Sequence, residues 1–293
     1  MQIKTIRKNI QNKMDQWLNT ITDEKLRTSV KNSLLVSGGC ITSLLLGEDV
    51  NDYDIYIQKR DVLLKLTEYY LANYQDLQIL DGADKVRLMC EFGHRENIFG
   101  ISIRNLKEDQ IKIFINDSNG GKAVNLGITT EGKYLPIFFS PNAISLSDNI
   151  QIVIRFNGDA NEIHKNFDFV HATNYFTYKE GLVTNKEALE SILTKQLKYM
   201  GSLYPLTSIL RMKKFTKRNW NINAGEVLKI MFQISELDLK DPDILEEQLI
   251  GIDVAYFSLL IKLLRDIPAE ERTQHLYNTL IDRVFNDSED SGI

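Results

Sequence analysis

Residues 34–57 read LLVSGGCITSLLLGEDVNDYDIYI, and the order of residue types in this stretch decides the fold. The apolar run Leu34 to Val36 reads as a buried strand. It stops at Ser37-Gly38-Gly39 and gives way to apolar residues at helical spacing, Ile41, Leu44 and Leu45, with Gly47 closing the helix. A second strand follows and carries Asp52 and Asp54 at alternate positions, so both carboxylates leave the same face of a sheet. Two carboxylates side by side repel unless cations lie between them, and the hard cation suited to oxygen ligands beside phosphate is Mg²⁺. The glycine pair opens a helix whose free N–H groups and positive dipole end favour phosphate, and neither glycine is expected to accept a side chain. A phosphate cradle joined by one short helix to paired carboxylates points to metal-assisted phosphoryl or nucleotidyl transfer.

Working outward, Ile6, Ile10, Met14, Trp17 and Ile21 form a helical stripe that would pack on the sheet. Thr22-Asp23 caps a second helix through Val30. Asp61 opens a helix through Leu71, with Val62, Leu66 and either Tyr69 or Tyr70 inward. Between 77 and 140 the pattern turns β-like, in KVRLMCEF, NIFGISI, QIKIFIN and LPIFFS, separated by turns such as Asn119-Gly120-Gly121 and Glu131-Gly132. NIQIVIRF at 149–156 alternates like a half-buried strand, and NFDFV at 166–170 reads as another. Asp168 lies there between Phe167 and Phe169, and such an Asp is costly to bury unless it is paired or binds metal. From Asn185 onward the reading is helical. The expected architecture is α+β: a domain over 1–180 with a mixed sheet, flanking helices and a β-rich insertion near 77–140, then an all-helical domain over 181–293.

The glycine pair, the apolar helix and the DxD strand resemble the signature of the polymerase-β-type nucleotidyltransferase superfamily. The spelling GG…LLLGEDVNDYDI is most similar to the head domain of CCA-adding enzymes and bacterial poly(A) polymerases. The resemblance covers residues 1–175. It implies that Asp52 and Asp54 hold two Mg²⁺ ions, with Mn²⁺ as a substitute. It also implies that Asp168 completes the metal site and helps deprotonate the attacking hydroxyl. Ser37, Gly38 and Gly39 would bind the phosphates of an NTP, whose NMP moves to an acceptor hydroxyl with release of pyrophosphate. One departure is plain: where that subgroup carries an Arg-Asp pair, this chain has Thr42 and Ser43. The acceptor stays open between an RNA 3′ end and a protein hydroxyl or small molecule, and a catalytically silent module of the same fold is the other class.

RMKKFTKR at 211–218 is the chain's one basic run, and helical spacing gathers Arg211, Lys214, Lys217 and Arg218 on one side. Arg211, Lys214 and Arg218 are expected to bind triphosphate or a nucleic-acid backbone; the alternative is a solvated face. The net charge of −5 argues against coating nucleic acid by bulk attraction. Arg155 is a weaker phosphate candidate, read as pointing outward. His164 and His171 lack a cysteine partner and read as polar residues near the site rim. Cys40 and Cys90 have no metal-ligand spacing and read as reduced core thiols. No Walker-type GxxxxGK[ST] and no GxSxG elbow occur. The N-terminus has no apolar signal region and the longest apolar stretch is too short to span a bilayer, so a cytoplasmic protein is expected.

Overall fold

The computed structural model describes residues 2–72, 77–79, 86–91, 98–105, 111–116, 124–125, 132–140, 142–249 and 255–286. The N-terminal stripe folds as its spacing requires: α1 (Ile3–Leu18) buries Ile6, Ile10, Met14 and Trp17 completely, and Ile21 follows them inward. α2 (Glu24–Ser33) starts on Asp23, whose carboxylate accepts from the N–H groups of Lys25 and Leu26. It runs past Val30 and feeds β1 (Leu34–Ser37) without a loop. α3 (Gly39–Leu46) ends on Gly47 in the left-handed region, with Glu48 N–H closing on the Ser43 carbonyl. β2 (Tyr53–Ile57) leads to α4 (Arg60–Ala72), where Tyr70 rather than Tyr69 turns inward and its hydroxyl accepts the Trp17 indole N–H at 2.7 Å.

The insertion contributes β3 (Leu77–Ile79), β4 (Val86–Glu91), β5 (Ile98–Asn105) and β6 (Ile111–Asn116), an antiparallel four-stranded sheet of its own. Not all of the β-like stretch belongs to it. β7 (Val124–Asn125) and β8 (Pro136–Phe139) join β9 (Ala143–Leu146) and β10 (Ile150–Val153) in the main sheet. The turn at 119–121 lies outside the described residues. After α5 (Ala160–His164), held by a capping box between Asp159 and Glu162, β11 (Tyr175–Thr177) and β12 (Gly181–Val183) complete the sheet. Its order is β12-β11-β1-β2-β10-β9-β8-β7, antiparallel throughout except where β2 runs parallel to β10. β2, which carries Asp54 and follows directly on Asp52, is therefore a central strand, buried from Ile55 to Ile57. The chain is α+β with a mixed sheet and a helical C-terminal region.

Residues 166–170 form no strand of this sheet. They make one bridge, Phe169 with Tyr199, and belong to a second compact unit made of 166–170 and 193–293; residues 1–165 and 171–192 make the first. The border between the units falls within the last turn of α6 (Lys186–Thr194), after Ile192. The second unit pairs β13 (Gln196–Leu197) with β14 (Asn221–Ile222) and contains α7 (Pro205–Thr216), α8 (Ala224–Ser235), α9 (Pro242–Gln248), α10 (Ala255–Arg265) and α11 (Gln274–Asn286). Phe169, Phe215 and Trp220 meet edge to face in series at 6.3 and 5.4 Å between ring centres. Pro205 and Pro242 stand in the first turns of their helices, where a missing N–H costs nothing. Among the described residues no helix is long and apolar enough to cross a membrane.

Candidate functional site

The glycine turn is asymmetric. Gly38 is buried at φ +94°, a backbone region that L side chains rarely adopt, and a Cβ there would stand 2.9 Å from Oδ2 of Asp54. Its N–H donates to the Ala172 carbonyl at 3.1 Å. Gly39, one residue on, is exposed, and a Cβ there would meet nothing within 4 Å. Within the protein itself only Gly38 of the pair excludes a side chain, and Gly39 begins α3 in open space. Gly38 caps α3 without any side-chain oxygen, so the first-turn N–H groups are not covered by a capping side chain.

Ser37 departs from its expected role. It has no exposed surface, and its Oγ lies 2.9 Å from His164 Nε2, 2.9 Å from the Asn174 carbonyl and 3.2 Å from that of Ala172. A hydroxyl carries one proton, and two carbonyls compete for it, so His164 supplies the proton between ring and hydroxyl as a neutral Nε2–H donor. Burial lowers the His164 pKa to about 4 against the opposing pull of Asp159, which keeps the ring neutral near pH 7. The hydroxyl of Ser37 is turned into the protein and cannot reach a phosphate. His164 and His171 are buried residues, not rim residues. Thr42, buried at the position where the resembled subgroup carries Arg, donates from Oγ1 to the His171 carbonyl at 3.0 Å. Segment 171–174 is therefore strapped to the start of α3 by Ser37, Gly38 and Thr42.

Asp54 sits on β2 opposite Ser37 of β1 and Gln151 of β10. Asp52 immediately precedes the strand and is exposed. Burial pushes the Cys40 thiol well above its ordinary range, and the carboxylates of Asp54 and Asp52 push it further the same way. Cys40 itself is buried and points its thiol at the Ser37 carbonyl, 3.6 Å away; the side chain of Cys90 lies outside the described residues.

Asp168 has different company. Its side chain is 3% exposed, its Oδ1 accepts from Ser202 Oγ at 2.8 Å, and its Oδ2 is ion-paired with Arg211. The burial that raised a metal reading for this residue is explained by these two partners within the second unit, the cation being the Arg211 guanidinium. Arg211, whose side chain is 41% exposed, is thus engaged in an ion pair. Lys214 is exposed on α7, and Arg218, just beyond the helix, has its guanidinium 5.7 Å from the centre of the Phe215 ring. The basic run lies in the second unit and the glycine turn in the first. Arg155 is buried, not outward, and reaches Asn142 Oδ1 at 3.3 Å. Nothing in residue spacing could have found Ser202 or Asn174, because each acts through a partner distant in sequence.

Among the described residues no group of three or more His, Cys, Asp or Glu side chains is gathered as a metal-binding cluster. The pair Asp52 and Asp54 fits a divalent cation in donor chemistry: hard oxygens, beside an uncapped helix start, with Gly38 leaving room for the Asp54 carboxylate.

Asp54 on the central β2, with Asp52 just before the strand, stands next to a glycine turn that opens a helix in an α+β protein. Residues 8–195 match the profile of the Gabija anti-defense 2 family, and the chain belongs to that family. A protein of Bacillus phage SPbetaL7, "Gabija anti-defense 2", is 22% identical over 233 residues, which is 78% of this chain and 44% of the relative. The chain thus spans less than half the length of the curated relative it matches. Among solved structures, the Thermotoga maritima CCA-adding enzyme complexed with tRNA is 14% identical, with a TM-score of 0.40, over 93% of this chain and 55% of that one. A tRNA-processing enzyme in an apo form is 12% identical, with a TM-score of 0.40, over 94% and 70%. At such scores the likeness adds nothing to what the sheet order says by itself.

Proposed function

We propose that this chain moves a nucleoside monophosphate from an NTP to an acceptor hydroxyl with release of pyrophosphate, and that the acceptor is a protein. The observation that carries the reading is the close seat of Asp54 against Gly38 at the uncapped start of α3, with Asp52 beside it. The N–H groups of the first turn of α3, beginning at Gly39, would receive the phosphates. Asp52 and Asp54 would hold two Mg²⁺ ions, which when bound neutralise phosphate charge and lower the barrier to attack by the acceptor hydroxyl. The strap of segment 171–174 on Ser37, Gly38 and Thr42 would keep the turn rigid, and Gly38 would keep a side chain out from between the Asp54 carboxylate and the helix start. Asp168 is not carried into this site, since Ser202 and Arg211 account for it. A protein acceptor is favoured over an RNA end because Arg211, first in the basic run, is engaged with Asp168, and because the phage relative is named for action against a defence system.

The same pairing favours a second reading, a member of the family that binds its target without turnover. The experiment that separates them is incubation of the purified chain with each labelled NTP, Mg²⁺ or Mn²⁺, and either protein extract or total RNA. Label on protein, with pyrophosphate released and both lost in Asp54→Asn, is the expected outcome. Label on RNA overturns the acceptor, and no pyrophosphate with either acceptor overturns the transfer.

A further inference from the structure

Residues 164–174 carry two sets of bonds on one short stretch of chain. Of these, 166–170 belong to the second unit. There the Asp168 carbonyl accepts the Met200 N–H at 2.9 Å, and the Val170 N–H donates to the Lys198 carbonyl at 3.0 Å. The Phe169 ring meets that of Tyr199 at 5.9 Å between centres, and the Asp168 carboxylate adds Ser202 and Arg211. The flanking residues belong to the first unit and hold the glycine turn: His164 through Ser37, His171 through Thr42, and Ala172 through Gly38. The two sets meet in one 3-10 helix of three residues, Val170–Ala172. Its first residue is bonded within the second unit, and the carbonyls of the other two are bonded within the first. A turn of that kind fixes the dihedral angles of its residues, so the aim of the His171 and Ala172 carbonyls follows from the placement of Val170.

We infer that Asp168, Ser202 and Arg211 are positioning residues for the glycine turn: by fixing 166–170 they aim the His171 and Ala172 carbonyls at Thr42 and Gly38, and so tune phosphate binding at the start of α3. The Ala172 carbonyl holds the N–H of Gly38, the residue whose φ of +94° sets the direction in which α3 begins. A turn already ordered by its neighbours loses less conformational freedom when a phosphate arrives, so whatever orders 166–170 strengthens anion binding. Asp168 acts here without touching nucleotide or metal. Linkage of this kind is reciprocal: bonds made at the turn must also steady the segment in the second unit. The effect on phosphate rests on the transfer reading proposed above, whereas the linkage between the two sets of bonds does not.

The test is hydrogen exchange at single amides of the full chain. Arg211→Ala should speed exchange of the Gly38 N–H by about fivefold or more while the amides of α1 keep their rates. Arg211→Lys keeps a cation for Asp168 and should restore most of the protection. In the opposite direction, Thr42→Val removes the hydroxyl bonded to the His171 carbonyl and should speed exchange of the Met200 N–H in the second unit. In the transfer assay Arg211→Ala should raise the KM for NTP by about fivefold and change kcat by less than about twofold. The inference is overturned if Gly38 keeps its protection in Arg211→Ala, if α1 loses protection to the same extent, or if Arg211→Lys behaves as Arg211→Ala does. It is also overturned if Thr42→Val leaves Met200 unaffected, or if the KM is unchanged while Gly38 exchange rises. A wild-type chain that releases no pyrophosphate removes the transfer reading, and the exchange rates still decide the linkage.

Discussion

At the scale of single residues, the two glycines of the turn separate structure from function. Gly38→Ala forces a side chain into a left-handed conformation and against the Asp54 carboxylate, so it should cost about 1–3 kcal/mol in urea denaturation. Gly39→Ala enters open space at the start of a helix and should be neutral or stabilise by up to about 1 kcal/mol. Gly39→Val should also fold, yet weaken NTP binding measured by calorimetry; unchanged affinity would remove the turn from the proposed site. His164 gives a second residue-level outcome. Its folded pKa, about 4, lies below the unfolded value of 6.5. Between those values the unfolded chain holds the extra proton, so stability rises with pH across that window and is lost as pH falls through it. The contribution is at most about 3 kcal/mol. His164→Gln should flatten this slope in denaturation curves taken between pH 4 and 7; an unaltered slope would assign it to other groups.

Among the elements, segment 166–170 and α7 depend on one another. Arg211→Ala leaves a carboxylate that is 3% exposed without its cation. The expected loss is roughly 2–3 kcal/mol, less than for a fully buried pair because Arg211 is half in solvent. Adding Asp168→Asn to that variant should recover part of the loss, since the uncompensated charge goes with it. Asp168→Asn alone should lower stability and leave nucleotide transfer measurable. Abolished transfer at unchanged stability would return Asp168 to the role of metal ligand.

For the whole molecule, what could be read in advance was whatever the chain decides locally. The α1 stripe, the Asp23 cap and the Gly47 stop each follow from a period or a conformational preference within a few residues, whereas the strand expected to carry both Asp52 and Asp54 starts at Tyr53 and holds only Asp54. The strand expected at 166–170 was wrong because alternation of Phe, Asp and Phe is also what a short extended piece shows when its partners come from elsewhere. Those partners, Ser202 and Arg211, stand 34 and 43 positions away. The contact of Ser37 with His164 spans 127 positions. No spacing rule reaches so far, and so the phosphate role given to Ser37 failed while the roles of its neighbours stayed open. The excursion at 166–170 has a mechanical meaning. It is strung between His164, which grips Ser37, and Ala172, which grips Gly38. Tension on those five residues runs along the backbone to His164 and Ala172 and passes from them to the glycine turn through two hydrogen bonds. A pull on this segment would thus load both sides of the turn at once, through the bonds held by Ser37 and Gly38.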